Sequence, residues 1–167
     1  VIFDLTVAVE FGLGVACIFF LIRMNNITVV EPATLPFHMP DTVEAWHIRG
    51  ALFFGSISKL EHVTDPHRLM AANSAKIVIL DFTDLVNIDN SAMDQIEVFV
   101  RALHRHHHEL IIAGASGHPL RQLERTGIAQ ALGPNLVPDM EFAMARADID
   151  LAELAEEEKK EQAALQA

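Results

Sequence analysis

The first 22 residues, VIFDLTVAVEFGLGVACIFFLI, form an apolar run in which only Asp4 and Glu10 carry charge. About 20 such residues suffice for a helix to cross the hydrocarbon core of a bilayer. The run has neither the basic start nor the small-residue cleavage site of a signal peptide. It is therefore expected to be a transmembrane helix over residues 1–23, and Arg23 at its end favours a cytoplasmic exit. Carboxylates are costly in hydrocarbon, so Asp4 and Glu10 point to a helix packed within a bundle. A chain that opens inside such a stretch reads as the C-terminal part of a larger membrane protein.

The rest of the composition narrows the function. The chain has 12 Lys and Arg against 23 Asp and Glu, a formal net charge of −11 with neutral histidines. Phosphate backbones need a basic face, so nucleic acid is excluded as an electrostatically held partner. A hydrophobic fraction of 51% excludes a wholly disordered chain. The single cysteine, Cys17, excludes an intrachain disulfide and a multi-cysteine zinc site.

Residues 24–42 read as a Pro-containing linker. Pro32, Pro36 and Pro40 recur every four residues, which prevents a helix and favours an extended path. A folded domain is expected over residues 43–147. Val43–Arg49 reads as a strand, Gly50 as a break, and Ala51–Phe54 as a second short strand. A helix interrupted at Asp65–Pro66 follows between Ile57 and Met70. The run Lys76–Phe82 is the strongest strand, apolar on both faces and hence central and parallel. Thr83 to Asn90 reads as a loop, Ser91 to His104 as an amphipathic helix, and Leu110–Gly114 as another buried strand. His118 to Thr126 is a helix closed by Gly127. Residues 148–167 form an acidic helical tail. Strands alternating with helices make this an α/β domain.

Enzyme motifs are missing: the sequence has no GxxxxGK[ST], no GxGxxG and no GxSxG. Cys17 lies in the apolar run, and no pair of carboxylates is singled out for acid–base work, so no catalytic residue is assigned. His104, His106, His107 and His108 sit where a helix ends and complement its dipole; lacking a full ligand set, they assign no metal, and no cofactor is expected. The segment from Asp81 to Met93 is different. Asp89, Asn90 and Ser91 stand at a helix start, where free N–H groups and the dipole favour an anion. Ser91 is therefore a candidate phosphorylation or anion site. The same residues also serve as a plain N-cap, with Ser91 and Asp94 as a loose capping box. Asp81, Thr83, Asp84 and Asn87 form a candidate ligand loop beside it.

Several motifs in order resemble one family. The apolar span, the Pro-containing link, Ile48-Arg49-Gly50-Ala51-Leu52-Phe53-Phe54-Gly55, the Asp81–Ala92 segment, Gly127-Ile128 and Pro138–Ala143 together resemble the C-terminal cytoplasmic STAS domain of SulP/SLC26-type anion transporters. Ala51 stands where the family commonly has proline. The resemblance implies a small mixed β-sheet with helices packed against it, behind the end of the last transmembrane helix. It implies a regulatory, non-enzymatic domain of a sulfate- or bicarbonate-class transporter, facing the cytoplasm from a bacterial inner membrane. Its partners would be the upstream transport domain of the same chain, a second copy through the membrane part, and a cytoplasmic protein. Arg101, Arg105, Arg121 and Arg125 are the candidate basic patch for that protein. Related anti-sigma-factor antagonists use the fold as a phosphoswitch, and their phosphorylated serine falls on Ser91. Such a switch, or a nucleotide- or anion-sensing domain, is the alternative function.

Overall fold

Ile77, Val78, Ile79, Leu80 and Asp81 are all buried, and this strand organises the molecule. The structure, a computed structural model, describes residues 2–25, 28–35, 39–53, 59, 63 and 75–165. Its elements are α1 (Ile2–Asn25), β1 (Val29–Pro32), β2 (Val43–Leu52), β3 (Ile77–Asp81) and β4 (Leu85–Ile88). Then come α2 (Asn90–Arg105), β5 (Glu109–Ala113), α3 (Gly117–Thr126), α4 (Ile128–Leu132), a 3₁₀ turn (Gly133–Asn135), β6 (Leu136–Val137) and α5 (Met140–Leu165). The helix expected between Ile57 and Met70, with its interruption at Asp65–Pro66, lies outside the described residues apart from Lys59 and Val63, as does the end of the strand expected at Phe54.

The sheet runs β1-β2-β3-β5-β6, with β4 also paired to β2. β2, β3, β5 and β6 are parallel, and β1 is antiparallel at the edge. This is the mixed sheet with packed helices that the family resemblance implied. Successive side chains of a strand point to opposite faces, so β3 feeds two cores. Val78 and Leu80 pack with Ile48, Leu110 and Ile112 against Met93, Ile96, Phe99 and Leu103 of α2 and Leu123 of α3. Ile77 and Ile79 pack with Val43, Ala45 and Ile111 against Ala143 and Ala147 of α5. The two alanines let α5 lie close on the sheet.

Three local expectations are corrected. Gly50 does not separate two strands. It adopts φ +89° within one strand, and β2 bulges there, passing from β3 to β4 as its parallel partner. Glycine alone enters that conformation without steric cost. The segment Thr83–Asn90 is not all loop, because Leu85–Ile88 pairs with Gly50–Leu52 as β4. The extended path of the Pro-containing stretch includes a hydrogen-bonded strand: Val29–Pro32 pairs with Trp46–Arg49. Pro32 is tolerated because an edge strand need not donate on its outer side.

Helix α1 is apolar around its whole circumference. Apart from half-buried Val15, its large apolar side chains from Leu5 to Ile22 are more than half exposed. By length and composition Leu5–Arg23 is able to cross a membrane.

Candidate functional site

Parallel strands present their C-terminal ends on one edge of the sheet, the usual place for a site in such folds. The register of β2 and β3 puts His47 beside Asp81 there. The His47 ring lies between two carboxylates: Nδ1 is 2.8 Å from Asp81 Oδ2 and Nε2 is 3.1 Å from Asp84 Oδ2. Ionised carboxylates only accept, so both contacts are hydrogen bonds when the imidazole carries protons on both nitrogens.

Asp81 is also the hub of a tight turn. Its Oδ1 accepts from Thr83 N at 2.9 Å and from Thr83 Oγ1 at 2.6 Å. Burial works to raise the Asp81 pKa, but the Thr83 hydrogen bonds and the His47 contact outweigh it, and the net direction is down. Gly114 holds the turn from below. It sits at φ +70°, and a Cβ there would lie 2.2 Å from Thr83 Oγ1 and 2.9 Å from the Thr83 backbone. Phe82 N donates to Ala113 O at 2.8 Å, and Gly50 N to Asp84 O at 3.0 Å, so the turn is fastened to both neighbouring strands.

The second group stands beyond β4, at the start of α2. Asp89, not Ser91, is the N-cap: its Oδ1 accepts from Ala92 N at 2.9 Å. No Ser91–Asp94 capping box is formed, since Ser91 lies inside the first turn. Asn90 is exposed, and its Oδ1 accepts from Arg125 Nη2 at 2.8 Å, which ties the end of α3 to the start of α2. Ser91 is half-buried beside it.

The predicted residues thus fall into two clusters. Asp81, Thr83 and Asp84 come together around His47, a residue that no sequence motif singled out. Asp89, Asn90 and Ser91 gather near Arg125. The four residues of β4 separate the clusters in the chain, a rise of roughly 13 Å. Asn87 joins neither, because its Oδ1 accepts from its neighbour's Ile88 N at 3.0 Å. Two carboxylates already engaged with His47 and Thr83 oppose an anion in the first cluster. The histidine tract closes α2, with His106 as C-cap and His107 at φ 55°. Among the described residues no group of three or more His, Cys, Asp or Glu is arranged to hold a metal ion. In the arginine patch, Arg101 is paired with Glu97 at 3.0 Å and Arg105 Nε donates to Arg101 O at 3.3 Å.

Residues 40–143 match the family model of the STAS domain. The chain belongs to the STAS domain family. Over 137 residues it is 31% identical to the Putative sulfate transporter YvdB of Bacillus subtilis (strain 168), covering 80% of this chain and 25% of that protein. The chain therefore spans about a quarter of the length of that curated relative. A crystal structure of a sulfate transporter family protein from Wolinella succinogenes superposes with a TM-score of 0.60 at 25% identity, covering 72% of this chain and 93% of that one. The Bacillus cell fate determinant SpoIIAA in its phosphorylated form superposes with a TM-score of 0.55 at 15% identity, covering 71% of this chain and 99% of that one. That last likeness is one of fold alone. The STAS fold thus serves both transporter-family and cell-fate proteins, and it does not choose between them.

Proposed function

We propose that this chain is the cytoplasmic, regulatory STAS domain of a secondary anion transporter of the sulfate or bicarbonate class, joined to the end of the last transmembrane helix. The observation that carries the reading is α1: a helix apolar on every side, exposed along its length, in the same chain as a STAS domain. A self-contained soluble switch has no use for such a helix, since water penalises an apolar surface of that size. The 31% identity to a longer protein named as a sulfate transporter supports the same reading. The module binds and regulates rather than catalyses. Its partners are the transport domain of its own chain, a second copy met through the membrane, and a cytoplasmic protein, with the domain hanging from the inner membrane.

Uptake of labelled sulfate and of labelled bicarbonate, measured in cells making the full-length protein, tests the proposal. Accumulation of either anion, altered in rate when residues 43–147 are deleted and protein levels are matched, is the expected result. No uptake of either anion overturns the transporter reading. Uptake unchanged by the deletion overturns the regulatory one.

A second reading rests on Arg125. Its guanidinium at Asn90 stands next to Ser91 at a helix start, where a phosphate on Ser91 would meet positive charge. Asp89 and Asp94 oppose it. Intact-mass and peptide mass spectrometry of the protein from its native cells decides the matter, and Ser91 unmodified under every growth condition removes the reading.

A further inference from the structure

At the edge of the sheet opposite the His47 cluster, a polar cavity of about 210 Å³ opens beneath α5. A chain of polar contacts runs along it. Asn135 Nδ2 donates to Glu109 Oε2 at 3.1 Å, Arg146 Nε donates to Asn135 Oδ1 at 2.8 Å, and Arg146 Nη2 meets Asp150 Oδ1 at 2.5 Å. The chain ends in an unsatisfied atom. Asp150 is only 3% exposed, and its second oxygen, Oδ2, is buried without a hydrogen-bond partner. Asp150 and Arg146 lie beyond residues 40–143, in the part of α5 that the family model does not cover.

We infer that Asp150 is a proton-operated latch that fastens the C-terminal helix α5 to the sheet in mildly acidic conditions and loosens it as the pH rises. A buried carboxylate with one bare oxygen is costly, whereas a carboxyl group places a proton on that oxygen and removes the charge. The surroundings favour the proton. From β5, Glu109 adds negative charge, as does Glu153 from α5 itself, at 3.8 Å from the shared Arg146. Among the described residues Arg146 is the cation of α5 that lines the cavity, the 3₁₀ turn supplies neutral Asn135, α4 supplies no charge, and α2 supplies His104 at the cavity wall. Burial is the largest influence, and with the two glutamates it outweighs Arg146 and pushes the Asp150 pKa up to about 6.

The sign follows from linkage. Above about pH 6 the carboxylate is ionised whether α5 is docked or free, and docking bears the full cost of burying the charge. Between about 6 and the ordinary value of 3.8 the docked form holds a proton that the free form does not, so docking strengthens as pH falls. Below 3.8 both forms are protonated and nothing more is gained. The whole span corresponds to a change in the docking equilibrium of up to about a hundredfold.

Hydrogen–deuterium exchange of α5 peptides tests this, with the full chain in detergent micelles and rates corrected for intrinsic chemistry. Protection of residues 140–155 should fall by tenfold or more from pH 4.5 to pH 7.5. Asp150→Asn should abolish the dependence, and His104→Gln should leave it intact. A flat wild-type profile, a slope that survives Asp150→Asn, or one lost in His104→Gln overturns the latch. Should Asp150→Asn fail to fold, the ¹³Cγ shift of Asp150 in the wild-type chain decides: a midpoint near 6 supports the latch and one near 4 refutes it.

Discussion

Gly114 shows how one absent methyl group positions a site. With φ +70° and the Thr83 backbone at 2.9 Å from a virtual Cβ, the residue faces both conformational strain and a backbone collision on substitution. Strain of that kind costs about 1–3 kcal/mol and the collision adds to it. Gly114→Ala is therefore expected to lower unfolding stability by about 2–4 kcal/mol in chemical denaturation, and to displace the Asp81–Thr83 turn. Wild-type stability would sink the argument. Thr83→Val probes the same turn from the other side. It removes the 2.6 Å hydroxyl contact while keeping the backbone one, so the Asp81 pKa should climb back toward 3.8 in a carboxyl ¹³C titration. A depressed carboxylate contributes stability that is full above its ordinary value and is lost as pH falls through its folded value. Thr83→Val should accordingly cost about 1 kcal/mol at pH 7 and leave less to lose on acidification. Equal losses at pH 7 and at pH 2.5 would show that packing, not the hydrogen bond, was removed.

At the scale of elements, α2 gives the clearest contrast between two neighbouring polar residues. Asp89 caps Ala92 N, whereas Ser91 lies a residue pair further in and makes no cap. Asp89→Ala should cost about 1 kcal/mol and speed amide exchange in the first turn of α2. Ser91→Ala should change stability by less than about half of that. The reverse order would place the cap where the sequence pattern alone suggested it. That pattern was ambiguous for a physical reason: Asp, Asn and Ser all cap well, and only the backbone angles decide which one stands outside the first turn. Long elements were easier to read. β3 and β5 are continuous apolar runs because both faces are covered, and α2 shows its buried stripe at Ile96, Phe99, Val100 and Leu103. β4 escaped notice because four residues ending on Asn87 and Ile88, with Val86 exposed, carry no periodic signal. β1 is hidden by Pro32, and the bulge at Gly50 mimics a break. His47 was illegible as a site residue, since its role comes from register: only the pairing of β2 with β3 sets it against Asp81.

For the whole molecule, the two halves of the chain have opposite demands on solvent. The part of the chain after α1 carries most of a −11 net charge, much of it in the acidic tail, while α1 presents apolar side chains on all sides from Leu5 to Ile22. A part with that net charge is repelled by anionic lipid headgroups, so it has no net electrostatic hold on a membrane surface. Any membrane attachment of this chain must then come from α1, and burial of a helix of that length is effectively irreversible compared with peripheral binding. Two outcomes follow for sedimentation with membranes. The intact chain should remain in the pellet through high salt and alkaline carbonate washes, because neither treatment weakens hydrocarbon burial. A chain lacking residues 1–25 should move to the supernatant and fail to bind anionic vesicles at low salt, where an electrostatic contact would be strongest. Retention of the shortened chain on vesicles would reveal a surface contact that the charge distribution forbids, and would pass the anchoring role from α1 to the STAS domain itself. Release of the intact chain by carbonate would instead leave α1 as an interfacial helix, and with it would fall the observation on which the transporter assignment rests.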